Sequence, residues 1–117
     1  MIPPLIVREA LEHRIDIIAI TDHNASANVR AVQKAADGTG LTVLPGMEVQ
    51  TREDVHLLCL FASLSDLETW QRTVDLSLPD TLNQPEYFGE QYIVDENGEY
   101  IRTETRLLLT ATEFSIE

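Results

Sequence analysis

The sequence predicts an α/β fold built on a largely parallel sheet, and two patterns support this prediction. Short apolar runs rich in β-branched residues alternate along the chain with segments whose apolar residues recur at helical spacing. Runs that are apolar at nearly every position are typical of strands covered on both faces, as in parallel sheets. The chain has 117 residues, 44% of them apolar, which suggests one domain with a packed core.

The chain opens with a predicted helix followed by a predicted strand. Pro4 suits the first turn of the helix, where an amide hydrogen would have no partner. Residues 15–20 form an almost continuous apolar run, which predicts a strand buried on both faces. This strand ends in the polar sequence Thr21-Asp22-His23-Asn24.

A second helix and two more strands are predicted before residue 62. Asn24 or Ser26 is placed to cap the second helix, because short polar side chains accept hydrogen bonds from the first amides of a helix. Residues 41–44 predict the second strand, which ends at Pro45-Gly46-Met47-Glu48. Residues 55–61 are again almost entirely apolar and predict the third strand.

The second half of the sequence predicts a helix, a hairpin and two shorter elements. Ser65-Asp66-Leu67-Glu68 matches the capping box that opens a helix. Asn97-Gly98 is a strong hairpin signal between the flanking strands at 91–94 and 99–102. Residues 106–109 predict a further short strand, and a second capping-box pattern at 110–113 predicts the beginning of a helix.

Charge and cysteine content indicate which binding partners and which cellular compartment to expect. The chain carries 8 basic and 20 acidic residues, a net charge of -12. Because duplex binding rests on Lys and Arg, nucleic acid is not an expected partner. Cys59 is the single cysteine, so no intrachain disulfide can form. The sequence contains no apolar run long enough to span a membrane and no signal-peptide pattern. We therefore expect a cytoplasmic protein without a membrane partner.

Polar residues follow two of the predicted strands. Asp22 and His23 come after the first strand and Glu48 after the second, where α/β folds bind ligands. His56 lies within the third strand, and a lone histidine there is more often a hydrogen-bonded core residue. Together, however, two imidazoles and two carboxylates could converge on a cation such as zinc, manganese or iron. Spacing alone leaves the core and metal-ligand interpretations of His56 equally open.

Three segments carry motifs in a fixed order. Residues 17–24 read Ile-Ile-Ala-Ile-Thr-Asp-His-Asn, residues 44–49 read Leu-Pro-Gly-Met-Glu-Val, and residues 55–58 read Val-His-Leu-Leu. Together they resemble the PHP (polymerase and histidinol phosphatase) family of metal-dependent phosphoesterases. In that family a strand ends in Thr-Asp-His-Asn, Gly-x-Glu follows, and a later strand carries a histidine. The resemblance covers about residues 3–61.

The resemblance implies a fold, a metal site and a reaction. The implied fold is a distorted (β/α)7 barrel of the TIM-like type, present here as a partial barrel with an added β-hairpin. His23 would be a metal ligand, Glu48 a ligand able to bridge two metals, and His56 a ligand of the second metal. Asp22 would support the site as a ligand or by orienting a neighbour, so that Asp22, His23 and Glu48 are the implied catalytic residues. The implied reaction is hydrolysis of a small phosphorylated substrate by metal-activated water.

The sequence also departs from the family pattern. The first strand of the family, with its His-x-His motif, and the late metal ligands have no counterpart here. We therefore expect a single partial PHP domain over 1–117, with an α/β part at 1–78 and an irregular segment, hairpin and helix start at 79–117. A misplaced gene start, a proteolytic product and a genuine short protein all stay open, with truncation favoured.

Two functions follow from this incomplete pattern. The first is a metal-dependent phosphoesterase whose catalytic site is incomplete in this chain. An incomplete site can also lack its divalent metal ions. The alternative is a non-catalytic binding or interaction module on a degenerate PHP scaffold. A missing first strand would leave a strand edge unpaired, and such edges invite pairing with another chain. We therefore expect a homo-oligomer.

Overall fold

The computed structural model describes all residues, 1–117, and contains four helices and five strands. The helices are α1 (Pro3–Glu12), α2 (Val29–Ala35), α3 (Leu64–Ser77) and the single turn α4 (Pro85–Phe88). The strands are β1 (Ile17–Ile20), β2 (Thr42–Gln50), β3 (His56–Leu60), β4 (Tyr92–Val94) and β5 (Tyr100–Thr103). None of the helices combines the length and the apolar character needed to cross a lipid bilayer.

The strands form two small sheets, and neither closes into a barrel. The larger sheet has the order β1-β2-β3, with β1 parallel and β3 antiparallel to β2. The smaller sheet is the β4–β5 hairpin. The expectation of a partial (β/α)7 barrel is therefore wrong. Only residues 51–55 separate β2 from β3, which is too short for the crossover that a parallel strand requires.

The helices cover one face of the larger sheet. Val43, Met47 and Val49 of β2 alternate inward and belong to one core cluster with buried residues of α1, α2 and α3. Met47 is completely buried. Because this face collects the apolar residues of all three helices, it is the hydrophobic core of the protein.

The opposite face of this sheet is not covered by a helix. By strand register and alternation, this open face carries the side chains of Ile17, Ala19, Leu44, Glu48, Gln50, His56, Leu58 and Leu60. Ile17 is 60% exposed and Leu58 is 66% exposed. The prediction that the first strand is buried on both faces is therefore wrong, because helices pack on one side only.

Helix starts also differ from the predictions. Asn28 precedes α2 without a capping hydrogen bond from its side chain, so neither Asn24 nor Ser26 is the cap. At α3 the cap is Ser63 instead of Ser65, and its hydroxyl oxygen accepts a hydrogen bond from the amide of Asp66 at 3.1 Å. The helix thus begins two residues earlier than the capping-box pattern indicates.

The C-terminal region contains the predicted hairpin but neither of the other two predicted elements. Gly98 has φ +83°, which fits its place in the hairpin turn. Residues 106–109 form no strand and contribute only an isolated bridge from Arg106 to Leu82. Residues 110–113 form no helix, because the hydroxyl of Thr112 donates to the carbonyl of Gln50 and Phe114 stacks on Trp70.

Candidate metal centre

Three side chains that the sequence singled out meet at one end of the open face. Glu48 lies near the end of β2, His56 begins β3, and His23 follows β1. Because β3 is antiparallel to β2, its first residue lies at the same edge as the last residues of β2. Main-chain hydrogen bonds from Asn24 N to Glu48 O and from Glu48 N to Asp22 O hold His23 beside Glu48.

The two oxygens of Glu48 each face one imidazole ring. Glu48 Oε1 lies 3.0 Å from His56 Nδ1, and Glu48 Oε2 lies 3.6 Å from His23 Nδ1. One donor atom from each of the three residues lies within 4.8 Å of the others. The two rings meet edge to face, with centroids 5.1 Å apart. This arrangement allows all three side chains to contact one cation.

The three side chains are exposed to different degrees. The side chain of His23 is 14% exposed, that of Glu48 32% and that of His56 45%. The protein therefore surrounds the group on the His23 side and leaves it open on the His56 side. A cation held here would keep coordination positions free for water or substrate, as catalytic metal sites require.

A hydrogen-bond chain determines which nitrogen of His23 carries hydrogen. The amide nitrogen of Gln50 donates to the carboxylate of Asp54, which can only accept. The amide oxygen of Gln50 must then face His23 Nε2, 2.7 Å away, and that nitrogen must donate. In the neutral ring, His23 Nδ1 therefore presents a lone pair toward Glu48.

This tautomer brings two acceptors face to face. The lone pair of His23 Nδ1 and the oxygen Glu48 Oε2 lie 3.6 Å apart and repel each other unless a cation or proton lies between them. An imidazole whose second nitrogen donates to a polar partner is the usual form of a histidine metal ligand. Together with the carboxylate and second imidazole, this donor set fits a divalent cation such as zinc, manganese or iron.

Asp22 does not join the three donor groups. Its side chain lines a cavity next to His23, while its main-chain oxygen accepts the hydrogen bond from the Glu48 amide at 3.0 Å. Asp22 is open on its cavity side, but the surrounding protein limits hydration of the carboxyl group and so raises its pKa above the usual range. Asp22 thus lies next to the group formed by His23, Glu48 and His56, and its main chain positions Glu48.

Sequence patterns missed two residues of this site. Gln50 contacts His23, and the carboxylate of Asp54 lies 3.9 Å from His56 Nε2. The sequence offered one signal for Gln50. It follows Glu48 by two residues in the same strand, so both side chains lie on the same face of β2. Asp54 adopts φ +65° in the turn between β2 and β3, and no sequence pattern places its carboxylate near His56.

Asn24, which was predicted to cap α2, instead holds the chain segments around the site together. Its side chain is fully buried and its amide nitrogen donates to the carbonyls of Leu108 and Thr110, both at 2.9 Å. Its amide oxygen accepts from the main-chain amide of Gln50 at 3.1 Å. Asn24 therefore connects the loop that carries His23 with β2 and with the C-terminal segment.

Comparison with known proteins gives one partial similarity. No protein-family model matches the chain, and no solved structure matches it. The chain is similar to the 5'-3' exoribonuclease Rnm of Salmonella typhimurium strain LT2, with 32% identity over 63 residues. The matched part is 50% of this chain, and the chain spans about a fifth of the relative, 22% of its length. The resemblance to the PHP family stays a prediction.

Proposed function

We propose that this chain contributes a divalent-cation site to the hydrolysis of phosphoric esters. The observation that carries the proposal is the convergence of His23, Glu48 and His56 at the edge of one sheet. Two further points support it. The same three residues lie in the motifs that resemble the PHP family, and the relative in Salmonella typhimurium is named as an exoribonuclease.

Each residue of the group has a role that follows from its geometry. His23 and His56 each place Nδ1 near a different oxygen of Glu48. Glu48 is thus suited to bridge two cations, and Gln50 orients His23. A divalent cation, when bound, supplies polarisation of the phosphoryl group and a more acidic water. Asp22 lines the same cavity as His23, and its main-chain oxygen accepts the hydrogen bond that positions Glu48.

The substrate class is proposed on the same grounds. The relative is a 5'-3' exoribonuclease by name, and an exoribonuclease cleaves phosphodiester bonds at the end of an RNA strand. The net charge of -12 opposes contact with many phosphates along a nucleic acid backbone. It opposes a small phosphorylated molecule, or a single strand terminus next to a cation, much less, because few phosphate charges then approach the protein. We propose such a small phosphorylated group as the substrate.

A non-catalytic binding module is the second candidate, and the number of donors favours it. The group contains three donor side chains. A two-metal hydrolytic site with cations about 3.5–4 Å apart needs more groups than these. A chain that binds a cation without hydrolysing phosphoesters would therefore be a binding module.

Metal titration tests the proposal directly. We expect zinc, manganese or cobalt(II) to bind the purified chain, with a cobalt absorption band that reports imidazole and carboxylate ligands. His56→Ala and Glu48→Gln should abolish this binding. His13→Ala is the matched control, because His13 also lies beside a glutamate, 3.5 Å from Glu9, but has no second imidazole nearby. Absence of binding, or equal loss in the control, would overturn the proposal.

Hydrolysis assays separate the two candidate functions. With each metal present, we expect slow turnover of a generic aryl phosphate that is lost in Glu48→Gln and retained in His13→Ala. Metal binding without any Glu48-dependent turnover of aryl phosphates or of a short 5'-phosphorylated RNA would instead indicate the binding module. Turnover that survives Glu48→Gln would come from a contaminant and would count against the assignment of this site.

A further inference from the structure

The candidate metal group, His23, Glu48 and His56, is part of a closed ring of polar contacts that also includes Gln50 and Asp54. His23 Nε2 lies 2.7 Å from the Gln50 amide oxygen, and the Gln50 amide nitrogen donates to Asp54 Oδ1 at 2.5 Å. Asp54 Oδ1 lies 3.9 Å from His56 Nε2. Both imidazole Nδ1 atoms then face Glu48. Asp54 closes the ring on its solvent side, where its side chain is 77% exposed.

The turn between β2 and β3 determines where the Asp54 carboxylate lies. The main-chain amide of Asp54 donates to the carbonyl of Thr51 at 2.9 Å, and the amide of Thr51 donates to the carbonyl of Val55 at 2.8 Å. Thr51 is buried, and its hydroxyl oxygen accepts from the Val55 amide at 3.2 Å. Asp54 has φ +65°, a conformation in which Asp and Asn are more frequent than most other non-glycine residues. The turn thus holds Asp54 beside Gln50 and His56, which are register partners in β2 and β3.

Asp54 gives this ring of contacts its direction. A carboxylate can only accept hydrogen bonds, whereas the Gln50 amide can present either its oxygen or its nitrogen to His23. With Asp54 in place, the Gln50 nitrogen is committed to the carboxylate and its oxygen faces His23 Nε2. Without that acceptor, the Gln50 amide is free to turn over and donate to His23 Nε2. The ring hydrogen of His23 would then lie on Nδ1.

The two tautomers of His23 differ in what they offer to a cation. With hydrogen on Nδ1, His23 could donate to Glu48 Oε2, 3.6 Å away, and a cation would have to displace that internal contact. With hydrogen on Nε2, both Nδ1 and the Glu48 oxygen are acceptors, and a cation between them relieves their repulsion. Asp54 therefore prevents a competing hydrogen bond and prepares the group in advance, which lowers the cost of binding.

Asp54 also faces the second imidazole. With His56 Nδ1 engaged by a cation, the ring hydrogen lies on Nε2, which is 3.9 Å from Asp54 Oδ1. This separation exceeds a hydrogen bond by about 1 Å, and rotation of the exposed Asp54 side chain can close it. A carboxylate that accepts from a metal-bound imidazole fixes the orientation of the ring and makes its other nitrogen more basic.

We propose that Asp54 is a positioning residue for the metal group. It fixes hydrogen on His23 Nε2 through Gln50, and it supports His56 directly, so that both imidazoles can offer Nδ1 to a cation beside Glu48. The proposal rests on the proposed function for the identity of the ligand, a divalent cation. The effect of Asp54 on the tautomer of His23 does not require any cation.

The first measurement reads the position of the ring hydrogen on His23 without metal. Long-range ¹H–¹⁵N spectra of the labelled, metal-free chain distinguish the two tautomers, at about pH 8.5 so that an imidazole with the ordinary pKa of about 6.5 is neutral. We expect hydrogen on Nε2 in the wild type. Asp54→Asn should shift His23 toward hydrogen on Nδ1, because an asparagine amide can also donate to Gln50. Asparagine has nearly the same shape and tolerates the same φ, so a role limited to the turn would leave the tautomer unchanged.

The second measurement is the zinc affinity of the same samples. Asp54→Asn should weaken zinc binding by about 10-fold, the lower end of the range for loss of a contact that supports a metal ligand. Glu53→Gln is the matched control, because it removes a negative charge from the same turn while its carboxylate contacts Ser115 and Arg52. We expect this control to leave the tautomer and the zinc affinity unchanged.

The two measurements separate this proposal from the proposed function. Hydrogen on His23 Nδ1 in the wild type, or no change of tautomer in Asp54→Asn, would overturn the proposal and leave the proposed function standing if zinc binds. Where zinc binds, equal affinity in wild type and Asp54→Asn, or an equal loss in Glu53→Gln, would also overturn it. A tautomer that responds to Asp54→Asn in a chain without zinc affinity would refute the metal centre and support the role of Asp54 in orienting His23.

Discussion

The sheet region, residues 1–78, and the C-terminal region, residues 79–117, are stabilised in different ways. All twelve members of the core cluster belong to the sheet region, whose helices bury apolar side chains against β2. In the C-terminal region the buried apolar residues are Ile93 and Leu107. That region is attached mainly by hydrogen bonds from Asn24, Asn28 and Arg106, together with the stacking of Phe114 on Trp70. Apolar burial thus supports the candidate metal ligands, while directional polar contacts hold the C-terminal region against the sheet region.

The largest expected effect comes from the core of the sheet region. Met47→Ala removes a completely buried side chain, and such substitutions cost about 2–5 kcal/mol of unfolding free energy because a cavity remains. Leu82→Ala in the C-terminal region removes a side chain that is 70% exposed, and we expect a change of no more than about 0.5 kcal/mol. Denaturant unfolding measures both. Similar costs for the two variants would contradict the proposed difference between the regions.

Asn24→Ala tests the polar attachment of the C-terminal region. It removes hydrogen bonds to Leu108, Thr110 and Gln50, and a buried polar group left unpaired costs about 1–3 kcal/mol. We expect amide hydrogen exchange to accelerate in residues 104–117 more than in β2. Asn24→Gly separates the two contributions of this residue, because glycine accepts its φ of +52° without strain but makes no side-chain bonds. Unchanged exchange in 104–117 for both variants would refute the anchoring role.

Gln50 lies where the two regions meet and is expected to control metal affinity. Gln50→Leu removes the acceptor for His23 Nε2, and loss of such a supporting contact typically weakens metal binding by about 10–100-fold. Gln50→Glu should retain most of the affinity, because a carboxylate also accepts from that nitrogen. Calorimetric titration with zinc measures both variants. Equal affinity in the wild type and in Gln50→Leu would show that the tautomer of His23 does not matter.

The open edge of the sheet predicts self-association. β1 pairs only with β2, and Ile17 on the open face is 60% exposed. Unpaired strand edges and apolar faces favour association at contact, whereas salt screens the opposing net charge of -12 over about 8 Å at physiological ionic strength. We expect light scattering to give a mass above 13.2 kDa, and Ile17→Glu to lower it. A constant mass near 13.2 kDa across concentrations would exclude the association.

The smallest expected effect is a contact between the two regions at the surface. The hydroxyl of Ser115 donates to Glu53 and lowers the pKa of that carboxyl group from 4.5 to about 2. Because the folded-state pKa is the lower one, the stabilisation is present above pH 4.5 and is lost as the pH falls toward 2. Ser115→Ala should raise the pKa of Glu53, which an NMR titration measures. An unchanged pKa would mean that this contact is absent in solution.

The sequence by itself determined the elements that depend on periodic apolar residues. The run before Asp22, the run that contains His56 and the Asn97-Gly98 turn each carry local information, and each corresponds to a strand or a hairpin in the structure. The three candidate metal-site residues could be singled out because their types and order are visible without coordinates. A strand and a turn are favoured by residues within a few positions of each other, so a local pattern suffices.

Tertiary structure alone decided the direction of β3, the burial of β1 and the conformation of the C-terminal region. Nothing in an apolar run states whether a strand is parallel, and the antiparallel β3 is what excludes the barrel. Residues 110–113 carry a helix-start pattern, yet Thr112 donates to Gln50 and Phe114 stacks on Trp70, 5.1 Å away. These contacts join residues more than 40 positions apart and are formed in place of a helix cap, a local preference worth about 1 kcal/mol.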